Sequence, residues 1–110
     1  MEIAFDLPHP AREDIELSQV LFALSDPGRL AIARELAAGP AEAASCVPWA
    51  PDMPKATKSH MMKVLREAGV IRNEPKGRGR LLSLRRADLE ARFPGLLDAI
   101  LNAGGSPPGG

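Results

Sequence analysis

The apolar residues of this chain change period at Gly69. Before it they recur at helical spacing. After it Val70-Ile71-Arg72-Asn73-Glu74 and Arg80-Leu81-Leu82-Ser83-Leu84-Arg85 read as short strands around Pro75-Lys76-Gly77-Arg78-Gly79. The two periods put side chains on faces in incompatible ways, so the chain is restricted to helices, then one hairpin, then a closing helix. Two glycines in so short a connection mark the hairpin, because glycine takes positive φ without steric cost.

Leu17, Val20, Leu21 and Leu24 fall at i, i+3, i+4 and i+7 and predict an amphipathic helix over about residues 13–25. Ser25-Asp26-Pro27 stops it and opens a second. Asp26 suits the N-cap, and Pro27 suits the first helical position, where its missing N–H has no partner to lose. Leu30, Ile32, Ala33, Leu36 and Ala37 fill that helix, and Gly39-Pro40 ends it. Residues 41–46 are expected as one short helix, and three prolines in 47–54 make that stretch a loop. A long helix then runs from near Lys55 to Gly69. Met62 and Leu65 face inward, flanked by Met61, Val64 and Ala68, with Lys55, Ser59, His60, Lys63 and Arg66 outside. Asp88 opens a last helical stretch, interrupted near Pro94, with Phe93, Leu96, Leu97, Ile100 and Leu101 at helical spacing. The expected organisation is a flexible arm (1–12), one domain (13–103) and a disordered glycine- and proline-rich tail (104–110), with no internal repeats.

The net charge of zero conceals a partition. Residues 55–86 carry 10 basic and 2 acidic side chains, whereas residues 1–54 carry 3 basic and 9 acidic. One continuous third of the chain is thus strongly cationic, as a surface that meets a polyanion requires. No apolar run approaches the ~18 residues of a membrane span, and no leader pattern opens the chain, so a cytoplasmic protein is expected. The single cysteine, Cys46, excludes an internal disulfide and a cage of several thiolates within one chain. Catalysis is not expected. No glycine-rich phosphate loop joins a strand to a helix, and Cys46, His9, His60 and the serines assemble no nucleophile, base and orienting acid.

A helix fits the major groove of B-DNA, where each base pair shows its own set of donors and acceptors. Polar side chains near the helix N-terminus reach base edges there, and Lys55-Ala56-Thr57-Lys58-Ser59-His60 supplies them. The helix N-terminal N–H groups favour a phosphate nearby. Lys76, Arg78 and Arg80 then reach backbone phosphates or the minor groove from the hairpin tip. The candidate DNA contacts are Lys55, Thr57, Ser59, His60, Lys63, Lys76, Arg78 and Arg80. The same helix and hairpin used only for protein contact is the alternative, and it has no need of so concentrated a charge.

Leu24-Ser25-Asp26-Pro27-Gly28-Arg29-Leu30-Ala31-Ile32 resembles the start of the second helix in arsenic-repressor-type (ArsR/SmtB) winged helix-turn-helix regulators. Ser59-His60-Met61-Met62-Lys63-Val64-Leu65-Arg66-Glu67-Ala68-Gly69-Val70-Ile71 resembles their recognition helix and the beginning of their wing, and Gly77-Arg78-Gly79-Arg80-Leu81 their wing turn. The resemblance spans about residues 13–103. It implies a mainly α (α+β) fold of about five helices with a two-stranded hairpin wing. It also implies a homodimeric bacterial repressor of a palindromic operator, with the first and last helices forming most of the dimer interface. Two positions depart from the family pattern: Lys58 stands where an apolar residue is frequent, and Met61 where a second histidine is common. Metal sensing, the family's best-known trait, needs two or three Cys or His ligands held together. The segment resembling the cysteine-bearing helix of metal sensors has only Cys46, and the last helix has no histidine. No metal or cofactor is therefore expected, and a thiol- or metal-responsive repressor using Cys46 is the variant reading. His60 is expected as a DNA contact and His9 as a solvated arm residue.

Overall fold

The computed structural model describes residues 7–45 and 53–103. Among these residues, five α-helices and a three-stranded antiparallel sheet enclose one core. Helix α1 (Leu17–Leu24) and helix α2 (Pro27–Ala37) meet at the expected punctuation. The Asp26 carboxylate accepts from the Arg29 backbone N–H at 3.0 Å, and Pro27 opens the first turn. Arg29 then reaches back to donate to the carbonyls of Ala23 (2.8 Å) and Phe22 (3.2 Å) at the end of α1, where Ser25 also bonds the Phe22 carbonyl.

The first helix is shorter than its apolar spacing predicts. A 3-10 turn covers Arg12–Asp14, and Ile15 and Glu16 are extended before α1 starts. Ile15 is the reason. Its side chain is buried against Gly69, and its carbonyl accepts from Arg92 at 2.6 Å, so its backbone oxygen serves a long-range partner instead of a helical turn.

Residues 41–45, expected as a helix, divide into strand β1 (Ala41–Glu42) and a 3-10 turn (Ala43–Ser45). Ala41 pairs with Leu82 and Glu42 with Leu81, so β1 covers an edge that a two-stranded wing would leave open. Cys46 lies outside the described residues, as does most of the proline-rich loop.

Helix α3 (Lys55–Glu67) matches its expected span. Gly69 follows it at φ +87°, and the Val70 N–H bonds the Leu65 carbonyl at 3.0 Å to close the helix end. Strands β2 (Ile71–Lys76) and β3 (Gly79–Leu84) pair from Ile71↔Leu84 to Lys76↔Gly79. Gly77, at φ +58°, takes the first place of the two-residue loop, where a Cβ would be strained. Helices α4 (Arg86–Arg92) and α5 (Leu96–Asn102) complete the chain. Arg34 of α2 donates to the carbonyls of Leu101 (2.9 Å) and Ala103 (2.7 Å) and so fastens the end of α5.

Leu65, Val70, Ile71 and Leu82 lie at the centre of the core with Val20, Ile32 and Leu36 around them. The recognition-type helix and the hairpin thus share one set of buried side chains, which fixes their relative orientation. None of the helices among the described residues is long and apolar enough to cross a membrane.

Candidate nucleic-acid interface

Helix α3 turns its apolar side, Met61, Leu65 and Ala68, into the core, with Met62 half-buried. At 3.6 residues per turn, Lys55, Ser59 and Lys63 fall within a sector of about 80° on the opposite side. All three are exposed. His60 lies further around, and Thr57 further still, on the side of Val64. Both are exposed too, so α3 presents a broad polar surface with its N-terminal half in the lead. No side chain caps that N-terminus, which leaves first-turn N–H groups to solvent or to an anion. Lys58 is half-buried and lines the space between α3, Ala43 and Met53.

The structure separates the cations of the basic third into two sets. Lys55, Lys63 and Arg78 are exposed, and Lys76 is exposed at 3.9 Å from Glu42 on β1, a weak surface pair. The arginines behave differently. Arg80 donates through Nε to the Asn73 side-chain oxygen (2.8 Å) and through Nη2 to the Asn73 carbonyl (2.7 Å), across the wing from β3 to β2. It is half-buried and braces the hairpin, whereas the sequence placed it at a DNA-facing tip.

Arg66 was expected on the outer side of α3, and here the structure overturns the expectation. Its side chain is 8% exposed, and Nη1 donates to the Pro8 carbonyl at 2.5 Å. Arg85 is buried as well, bonded to the Pro10 carbonyl (2.8 Å) and to Asp88 (2.9 Å). Arg12 and Arg72 meet the same Asp88 at 2.8 Å and 3.5 Å. The Arg12 hydrogen bond is the largest influence on the Asp88 carboxyl; burial opposes it, but the Arg85 hydrogen bond and the charges of both arginines keep the pKa below its ordinary value. Arg86 pairs with Asp98 at 2.8 Å. Much of the cationic excess therefore builds the wing's base.

His9 is likewise not a solvated arm residue. Its Nε2 accepts from the Asn73 backbone N–H at 3.0 Å. Burial, then the charges of Arg66 and Arg72, push its pKa below the usual histidine value. Residues 7–11 are irregular, as expected, but hydrogen bonds from Arg66, Asn73 and Arg85 tie them to α3 and to the base of the wing. No local signal in the sequence marks this docking, because Arg66 and Arg85 lie 58 and 75 residues from the carbonyls they meet.

Among the described residues, no three His, Cys, Asp or Glu side chains are close enough to share a metal ion. Packed helices, an exposed polar helix and a basic hairpin, in this order and sharing one core, define a winged helix-turn-helix of the kind that transcriptional regulators use.

The comparisons with solved structures place it more closely. The fold is similar to that of an ArsR family transcriptional regulator (TM-score 0.61, 28% identity, 69% of this chain and 82% of that one). It is similar to a possible transcriptional regulator for arsenical resistance (TM-score 0.57, 26% identity, 71% and 82%). It also shares its fold with the transcriptional repressor BigR from Xylella fastidiosa (TM-score 0.55, 24% identity, 76% and 97%). No protein-family model and no curated protein sequence matches the chain. The chain has the winged-helix fold and resembles ArsR-family transcriptional regulators.

Proposed function

We propose that this protein is a sequence-specific DNA-binding regulator of transcription, acting in the cytoplasm as a homodimeric repressor of a palindromic operator. The observation that carries the reading is the exposed face of Lys55, Ser59 and Lys63 on α3 beside a hairpin whose tip carries Lys76 and Arg78. In the dimer, two α3 helices enter successive major grooves about one helical turn apart. Lys55, Thr57, Ser59, His60 and Lys63 face the groove. Lys76 and Arg78 meet flanking phosphates, and Arg80 adds its charge while bracing the wing.

Dimerisation has its own support. Leu17 and Leu21 are each 45% exposed and Phe22 is 63% exposed, a run of large apolar side chains on one short helix. A surface of that kind is covered by a partner more often than by water. The half-buried Ile100 and Leu101 of α5 extend the apolar material available to a second copy.

The test is fluorescence anisotropy of the full chain with duplex DNA from upstream of its own gene. Saturable binding that survives competition by unrelated duplex is expected, with a steep decline as salt increases. No binding to any duplex at low ionic strength would remove the proposal.

A further inference from the structure

The groove between α3 and the wing has a volume of about 400 Å³. Lys63, Arg66 and Arg80 bring three positive charges to it, Ser59 and Asn73 bring polar groups, and Leu7 and Met62 form apolar walls. Arg80 already gives two N–H groups to Asn73. Arg66 is the unusual member. Its Nη1 is bonded to Pro8 and its Nη2 lies 4.0 Å from Glu67, but its buried Nε–H has no acceptor among the described residues. Folded proteins seldom leave a buried charged donor unmet, and such groups commonly mark a place where an ion or ligand belongs.

We propose that this groove is a binding site for a phosphate-type oxyanion, with the Arg66 guanidinium at its base and Lys63 at its rim. A tetrahedral oxyanion supplies the acceptors that a guanidinium fork requires and is matched by the positive charge around it. The Ser59 hydroxyl donates to a further oxygen. Two sources offer this chemistry: the phosphodiester of a duplex lying on α3, or a small free phosphate ester whose apolar part rests on Leu7 and Met62. A free ester seated there covers Ser59 and Lys63 and so competes with DNA. That last consequence rests on the DNA-binding reading, whereas the anion site itself does not.

The experiment follows the side-chain Nε–H resonances of the full chain labelled with nitrogen-15 in arginine, at ionic strength held constant with chloride. Inorganic phosphate is the first probe and an operator duplex the second. A saturable shift of the Arg66 signal with phosphate is expected. Lys63→Ala, which alters an exposed side chain, should weaken that binding about tenfold. A shift with the duplex but not with phosphate supports the site and assigns it to the DNA backbone. A shift with phosphate in a protein that binds no duplex leaves the site standing and removes the DNA reading. An Arg66 signal that neither probe moves overturns the site, even where anisotropy shows that the duplex is bound.

Discussion

Arg78 and Arg80 stand two residues apart in the wing, yet only one is bonded into the sheet. Their substitutions should therefore separate. Arg78→Ala should weaken binding to all duplexes alike, lower the slope of log affinity against log salt by about one, and leave the urea midpoint unchanged. Arg80→Ala removes both bonds to Asn73 and should also cost about 1–3 kcal/mol of stability in urea unfolding. A second residue-scale case is Gly69, at φ +87° with Ile15 so close that an added Cβ would lie 2.6 Å from its Cγ1. Gly69→Ala combines backbone strain with overpacking and should destabilise by about 2–4 kcal/mol, again in urea. Gly69 as a helix terminator was legible in the sequence, because a glycine directly before a change of period has a local meaning. The crowding by Ile15 was not, since nothing local links residues so far apart.

The long helices and the hairpin were legible at the scale of elements because each is specified by its own periodicity, caps and turn glycines. Three short pieces were not. Residues 41–42 form a strand because β3 offers an open edge. Ile15 leaves the helical pattern because Arg92 takes its carbonyl. The arm docks because Arg66, Arg85 and Asn73 are waiting for acceptors. Each is decided by a partner remote in sequence. The docked arm should respond to pH through His9. Burial and then Arg66 and Arg72 lower its folded pKa below 6.5, so the fold favours the neutral ring. That contribution to stability is complete above pH 6.5 and is lost as pH falls through the lowered value. A protonated ring also cannot accept from Asn73. The stability difference between wild type and His9→Ala should accordingly shrink on acidification, with faster hydrogen exchange at the Asn73 amide. A difference that holds constant from neutral to acidic pH would separate His9 from the arm's attachment.

For the whole molecule, the charge partition in the sequence overstated how much of the basic third faces outward. Arg66, Arg72, Arg80 and Arg85 have partners inside the fold, because a wing base this small uses arginine forks where a larger protein would use apolar packing. That Lys55 and Lys63 on α3 and Lys76 and Arg78 at the hairpin tip are exposed was legible from spacing alone. Assembly is testable at this scale. Leu21→Glu places a charge on the exposed apolar surface of α1 and should shift sedimentation from dimer to monomer while leaving helix content unchanged. Operator affinity should fall steeply, since two half-sites would no longer be engaged together. Strand β1, finally, bears on how an operator is chosen. With β3 flanked on both sides, the hairpin cannot swing independently of the segment that leads toward α3. On the DNA-binding reading proposed above, each wing then meets the duplex as a fixed calliper arm, and any adjustment of groove width falls to the nucleic acid. Sequences that bend or narrow at low energetic cost will be preferred, even at base pairs no side chain reaches.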